Sequence, residues 1–185
     1  MIVKKIPNPR TPSPKATRIG SLLDYIEAQT EEKIELRFAT GDFLTGSRQG
    51  QRAEMIALAG EATRSKDPID HWLLSWKAGE QPSEAECRDA VEILKRHLGV
   101  STDHQAVCAL HSNTENTHLH IVLNRTDPET FRVADNGWNI NRAHQALAEI
   151  VQRQGWEQET NAVYQAGEDE KRRNKGGIWA AYKGS

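Results

Sequence analysis

The sequence has 185 residues, enough for one domain with a sizeable core, and its 37% hydrophobic and 27% charged residues are typical of a soluble globular protein. No segment approaches the roughly 20 apolar residues of a membrane span, and the N-terminus lacks a signal-peptide pattern. Its two cysteines exclude a disulfide framework and a cysteine metal cluster. Any bound metal must therefore be held by His, Asp or Glu, and an intracellular setting is expected.

The hydrophobic pattern predicts strands and helices mixed along the chain. The first half predicts a strand at 1–6, a proline-rich loop, a helix at 21–30, a strand at 33–40, a helix at 51–64 and a strand at 69–77. The second half predicts a helix at 83–99, strands at 104–112 and 117–125, a short strand at 131–135 and a helix at 139–155. Adjacent hairpins favour an α+β fold, a central antiparallel sheet with flanking helices, over a parallel sheet.

Polar residues mark the expected helix ends. Ser21 is the N-cap candidate of the first helix. Ser83 and Glu86 have the spacing of a capping box before the helix at 83–99, and Gly155 follows the last helix as a stop.

Three histidines are expected to converge on one face of the sheet. His118 and His120 alternate along a strand and so share a face, while the leucines and isoleucine between them face the apolar core. If residues 112–117 form a hairpin loop, His111 lies opposite His118. Three imidazoles on an open face predict a site for a divalent cation; the alternative is a cluster of surface histidines without a ligand.

Other polar residues have plain structural interpretations. Tyr25 lies on the apolar stripe of its helix, which favours a core tyrosine with its hydroxyl at the rim. Ser75 interrupts an apolar strand and can satisfy its hydroxyl on the backbone. His71 and Glu80 flank it and are interpreted as surface residues.

Positive charge is concentrated at the two ends of a chain whose net charge is −2. Such ends can clamp a phosphate backbone or remain solvated tails. The residues of about 165–185 are expected to form a mobile basic tail. The basic residues are Lys4, Lys5, Arg10, Lys15 and Arg18 at one end, and Lys171, Arg172, Arg173, Lys175 and Lys183 at the other.

Taken together, three segments resemble the relaxase domain of conjugative and mobilisable elements, the MobA/VirD2-like, MOB-P branch of the HUH endonucleases. They are SLLDYIEAQ, HWLLSWKAGEQPSEAE and HSNTENTHLHIVLNR, in the family's order and spacing. The first is similar to the helix that bears the family's nucleophilic tyrosine, which falls on Tyr25. The second aligns a DNA-contacting serine with Ser75. The third aligns the metal ligands with His111, His118 and His120.

The resemblance implies an HUH/Rep-like relaxase fold and one chemistry. Tyr25 would attack a scissile phosphate at an origin of transfer and form a 5′-phosphotyrosyl intermediate, with a divalent ion, Mg²⁺ or Mn²⁺, as cofactor. The family's acidic signature positions are Asn113 and Glu115 here, so Glu115 and Glu80 are the candidate catalytic acids. The expected DNA contacts are Ser75, Asn116, Asn124, Lys4, Lys5, Arg125, Lys171, Arg172 and Arg173.

The resemblance also implies partners and a setting. The expected partners are single-stranded origin-of-transfer DNA, accessory relaxosome proteins and a type IV secretion coupling protein, with no membrane segment. The protein would act in the bacterial cytoplasm and travel with the DNA, and residues 1–185 would be one relaxase domain at the N-terminus of a longer protein. Two alternatives stay open: a non-catalytic origin-binding relative, and a rolling-circle replication initiator, which usually carries its histidine motif before its tyrosine.

Overall fold

A computed structural model describes residues 1–28, 33–112 and 115–159. These residues form an α+β fold, as predicted. The strands are β1 (Ile2–Ile6), β2 (Lys33–Thr40), β3 (Ile69–Trp76), β4 (Ala106–Ser112) and β5 (Thr117–Asn124). The helices are α1 (Lys15–Glu27), α2 (Arg48–Glu61), α3 (Glu84–His97) and α4 (Asn139–Gln154).

The five strands form one antiparallel sheet in the order β1-β3-β5-β4-β2. β4 and β5 are the expected hairpin, with His111 opposite His118. β3 is inserted between β1 and β5, so the sheet order does not follow the chain order. This puts the strand carrying Ser75 directly beside the strand carrying His118 and His120.

One face of the sheet packs on α3 and α4. Leu74 and Trp76 of β3, with Leu119 and Ile121 of β5, belong to the larger core cluster, together with the buried side of both helices. The predicted capping box of α3 is present, because Ser83 accepts from the Glu86 amide and Glu86 accepts from the Ser83 amide. This face has a structural role.

The histidine-bearing face is partly covered, and the prediction that it is open was wrong in part. α1 and α2 pack over the end of this face that carries Val107, Ala109 and Val122. The reason is the apolar character of these side chains, which need cover as much as those of the opposite face. The histidines lie where this cover ends.

One predicted helix start and one predicted strand were also wrong. α1 begins at Lys15 after Pro14, and Ser21 lies within the helix rather than at its N-cap. Proline is well suited to a helix start because its fixed φ fits and its missing N–H is not needed there. Residues 131–135 are not a strand: only an isolated bridge joins Thr126 to Val133, and Phe131 has a left-handed φ of 58° that no strand accommodates.

Among the described helices, none is long and apolar enough to cross a membrane. The basic tail predicted at about 165–185, with Lys171, Arg172 and Arg173, lies outside the described residues, as does Asn113.

Candidate active site

The register of the sheet places four histidines on one face. In one row across the strands, Ser75 of β3 lies beside His118 of β5, which lies beside His111 of β4. In the next row, His120 lies between Leu73 and Ala109. Because side chains alternate along a strand, His71 shares this face two residues before Leu73. The strand pairing therefore produces a cluster from residues far apart in sequence.

His71 and His120 form a hydrogen-bonded pair inside this cluster. Nε2 of His71 lies 3.0 Å from Nδ1 of His120, and the side chains are 4% and 7% exposed. Burial lowers the pKa of His71 to about 4, with Arg18 adding to the effect. Burial and the neighbouring His111 lower the pKa of His120 to about 3. Both rings are therefore neutral at pH 7.

The interpretation of His71 as a surface residue was wrong. A signal for its position existed in the sequence, since His71, Leu73 and Ser75 alternate on one strand face. That signal points to the cluster only once β3 is known to pair with β5. The pairing depends on the sheet order, which the sequence pattern did not reveal.

His111 is held at the interface between the sheet and α1. Its Nε2 lies 2.6 Å from the carbonyl oxygen of Ile26, and because a carbonyl only accepts, Nε2 is the donor. Its ring centroid is 4.6 Å from that of His120. His111 thus links β4 to the last turn of α1, the helix that carries Tyr25.

Tyr25 projects beside the histidines from α1. Leu22, Leu23 and Ile26 form the buried stripe of the helix, whereas Tyr25 is 61% exposed, so the core interpretation was wrong. Its ring meets that of His120 edge-on with centroids 5.8 Å apart, and that of His71 at 6.1 Å. The phenol is therefore accessible from solvent and adjacent to the neutral imidazoles.

The histidine cluster has the chemistry of a divalent-metal site, although its ligand atoms are not gathered for one. Among the residues described, no three His, Cys, Asp or Glu side chains are arranged to hold one ion together. His111 uses Nε2 on Ile26, so binding an ion through this nitrogen would require it to leave that carbonyl. Neutral imidazoles close together are nevertheless suitable ligands for a divalent cation. The donor set of His111, His118 and His120 therefore suits a divalent cation by its chemistry, although not in its present arrangement.

The two candidate acids have different surroundings. The carboxylate of Glu80 accepts from the backbone amides of Lys77 and Glu157, both at 3.1 Å. This side chain closes the turn after β3 and holds the segment after α4. Glu115 is exposed in the connection between β4 and β5, close in sequence to the facing pair His111 and His118.

Several polar side chains that were expected to contact DNA are buried or form hydrogen bonds within the protein. Ser75 is 6% exposed and lies in the histidine row. Asn116, with its amide turned to satisfy its neighbours, donates to the carbonyl of Trp76 at 3.3 Å. Asn124 is fully buried and accepts from the Thr126 amide at 3.0 Å, which stabilises the end of β5.

The Arg125 side chain likewise makes its polar contacts inside the protein. Its Nε lies 3.3 Å from a carboxylate oxygen of buried Asp70, and its other nitrogens donate to the carbonyls of Ala134 and Asp67. The guanidinium therefore ties β3 to the loop after β5. Its expected contact with DNA stays a prediction that this burial disfavours.

Lys4 and Lys5 lie on opposite faces of the edge strand β1. Lys4 pairs with Leu73 in the register, so it shares the histidine face, and it is exposed. Lys5 pairs with Trp72 on the other face, where its Nζ lies 3.2 Å from Asp70. The only one of the two near the site is Lys4.

Comparison with known proteins identifies a matching family and several relatives. Residues 25–156 match the family model described as the nuclease domain of MobA/VirD2-like relaxases. The chain is similar to Protein MobA of Acidithiobacillus ferrooxidans, with 51% identity over 60% of the chain and 27% of that protein. It is also similar to two TraI proteins of Escherichia coli, with 32% and 30% identity over 71% and 81% of the chain. The matched part spans about a quarter or less of these relatives' length. No solved structure matches the chain significantly.

Proposed function

Because the chain belongs to the MobA/VirD2-like relaxase nuclease family, we propose that it is a DNA strand transferase that nicks one strand of an origin of transfer through Tyr25. The observation that carries the proposal is the position of this side chain. Tyr25 is an exposed phenol on a helix, edge-on to the buried imidazole of His120. A nucleophile in this position can reach a phosphate that lies over the histidine face.

The chemical step is a transesterification. The phenolic oxygen of Tyr25 attacks the scissile phosphorus, the bond from phosphorus to the 3′ oxygen breaks, and a 5′-phosphotyrosyl bond forms. The phenol loses its proton, and the leaving 3′ oxygen gains one to become a 3′ hydroxyl. Since the energy of the phosphodiester is kept in the new bond, the 3′ hydroxyl can reverse the step and reseal the strand.

His111, His118 and His120 would hold a divalent ion, Mg²⁺ or Mn²⁺. When bound, the ion would stabilise negative charge on the non-bridging phosphate oxygens. Neutral ligands suit this task, since the low pKa of His120 leaves its ring unprotonated at pH 7.

We assign the acceptor of the Tyr25 proton to Glu115 rather than Glu80. Both oxygens of Glu80 already accept backbone hydrogen bonds, and protonating it would weaken two contacts that close a turn. Glu115 is exposed in the connection that joins the histidine-bearing strands β4 and β5.

The DNA strand would cross the half of the histidine face that α1 and α2 leave uncovered. Lys4 is exposed at its edge and would contact a phosphate, while Ser75 lies closer to the histidines and would position the backbone. The residues Lys171, Arg172 and Arg173, outside the described part, would add charge for the flanking DNA. Accessory relaxosome proteins, a secretion coupling protein and transfer from the bacterial cytoplasm belong to the same proposal.

The decisive experiment is incubation of the protein with single-stranded DNA from the element's own transfer region and Mn²⁺ or Mg²⁺. We expect a protein–DNA adduct that survives denaturation and contains the fragment on the 3′ side of the nick, whose 5′ phosphate is joined to the tyrosine. Tight binding without an adduct would instead identify a non-catalytic origin-binding protein. Adduct formation only on a replication origin would identify a replication initiator.

A further inference from the structure

We propose that His71 is a positioning residue that fixes the tautomer of His120. In this arrangement Nε2 of His71 accepts the hydrogen bond from Nδ1–H of His120, which leaves the lone pair of His120 on Nε2 for a divalent ion. The inference rests on the proposed function for the ion itself. It assigns a role inside the histidine cluster to His71, which was interpreted from the sequence as a surface residue.

The geometry of the pair supports a defined hydrogen bond. The two nitrogens are 3.0 Å apart, within the usual range for such a bond, and both side chains are almost fully buried. His71 and His120 project from the adjacent strands β3 and β5, in neighbouring rows of the same sheet face. The backbone pairing of two central strands therefore fixes the contact, which does not depend on a loop.

The tautomers follow from counting protons. A neutral imidazole has one N–H and one lone pair, so in a hydrogen-bonded neutral pair one ring donates and the other accepts. If His71 donates, His120 must carry its proton on Nε2 and cannot use that nitrogen as a ligand. If His120 donates from Nδ1, its Nε2 carries the lone pair. Only the second arrangement allows His120 to be a metal ligand through Nε2.

His71 is placed to be the acceptor of this hydrogen bond. Its Nε2 lies 3.0 Å from Nδ1 of His120, and a neutral imidazole has one lone pair that can receive the proton. A ligating histidine usually donates its other N–H to a group that sets its orientation, and losing that group typically costs 10–100-fold in metal affinity. A neutral histidine fulfils this role here without bringing a buried negative charge.

The first test measures Mn²⁺ binding to the whole chain by calorimetry, without DNA. We expect His71→Ala to bind Mn²⁺ about 10–100-fold more weakly than the wild type. His71→Gln retains an acceptor oxygen near the position of Nε2 and should restore most of the affinity. The matched control is His97→Ala, which removes a histidine that pairs with Glu149 on the α3 side of the fold and should leave the affinity unchanged.

The outcomes separate this inference from the proposed function. Equal Mn²⁺ affinity of wild type and His71→Ala would overturn the positioning role alone, whereas absence of Mn²⁺ binding by the wild type would overturn the metal site proposed above. Should His71→Ala not fold, the ¹⁵N shifts of His120 in the metal-free wild type decide the matter. A proton on Nδ1 is the expected result, and a proton on Nε2 contradicts the inference.

Discussion

The ring of Tyr25 meets the ring of His120 edge-on, with 5.8 Å between the centroids and 83° between the planes. Tyr25 belongs to α1 and His120 to the central strand β5, so the packing of α1 on the sheet determines the distance between the rings. His111 stabilises this packing through its hydrogen bond to the carbonyl of Ile26, the residue after Tyr25. The proposed nucleophile is thus exposed to solvent, while the helix that carries it is held against the sheet.

Replacing Tyr25 by Phe should abolish the covalent adduct and leave the fold intact. The substitution removes only the hydroxyl of an exposed side chain, so the free energy of unfolding should change by less than about 0.5 kcal/mol. Adduct formation is scored on denaturing gels with labelled origin DNA, and stability by urea unfolding.

The remaining tyrosines provide the controls. Tyr164→Phe and Tyr182→Phe, at positions outside the described residues, should still form the adduct. An adduct that persists in Tyr25→Phe and disappears in one of these would move the nucleophile to that tyrosine.

The placement of His111, His118 and His120 on one face of the sheet could be predicted from the sequence because it depends on local rules. Alternation puts His118 and His120 on one face, and a short hairpin puts His111 opposite His118. His71 escaped the same reasoning because its neighbour in the sheet, β5, is distant in sequence. A strand inserted between two others leaves no local signature.

The burial of some polar residues could not be predicted from the sequence pattern either. Asn124 ends β5 and Arg125 follows it, and both were expected to contact DNA, yet they are enclosed by partners from distant segments, among them Asp70 and the carbonyl of Asp67. Tyr25 is the reverse case, since it lies near an apolar stripe that the sheet covers only in part. The burial of these side chains depends on how helices and strands pack against one another. Composition and periodicity do not encode that packing.

Lys4→Ala should weaken binding of single-stranded DNA, because Lys4 is exposed on the histidine face. Loss of one phosphate contact should reduce the slope of log affinity against log salt concentration by about 0.7. Stability should be nearly unchanged, as is usual for a surface substitution. Fluorescence anisotropy at several salt concentrations measures the slope.

Lys5→Ala is the matched control on the other face of β1. Its loss leaves buried Asp70 with fewer partners, so the free energy of unfolding should fall by about 1–3 kcal/mol while the salt slope stays as in the wild type. A reduced slope for Lys5→Ala with an unchanged slope for Lys4→Ala would place the DNA on the α3 and α4 side.

Glu115→Gln should lower the rate of adduct formation, whereas Glu80→Gln should mainly lower stability. Gln at position 80 weakens two backbone hydrogen bonds, those from Lys77 and Glu157, at a cost of about 1–3 kcal/mol. General-base assistance is typically worth about 10²–10⁴-fold in rate, so the loss for Glu115→Gln should fall in that range at pH 7. Single-turnover cleavage at a temperature where both variants are folded separates the effects; a larger rate loss for Glu80→Gln would reverse the assignment.

The metal-free protein should lose stability as the pH falls from 7 to 5. The pKa of His71 is about 4 and that of His120 about 3 in the folded chain, below the ordinary value of 6.5. The unfolded chain therefore binds more protons in this window, and the stabilisation present above pH 6.5 is lost on acidification. Each of the two histidines is expected to contribute a loss on the order of 2 kcal/mol by pH 5, mostly above the range in which carboxylates titrate. Urea unfolding in EDTA, followed by tryptophan fluorescence, should show this slope in the wild type and a shallower one in His71→Gln. Identical slopes would mean that His71 is already protonated in the folded protein at pH 5, which its burial beside Arg18 argues against.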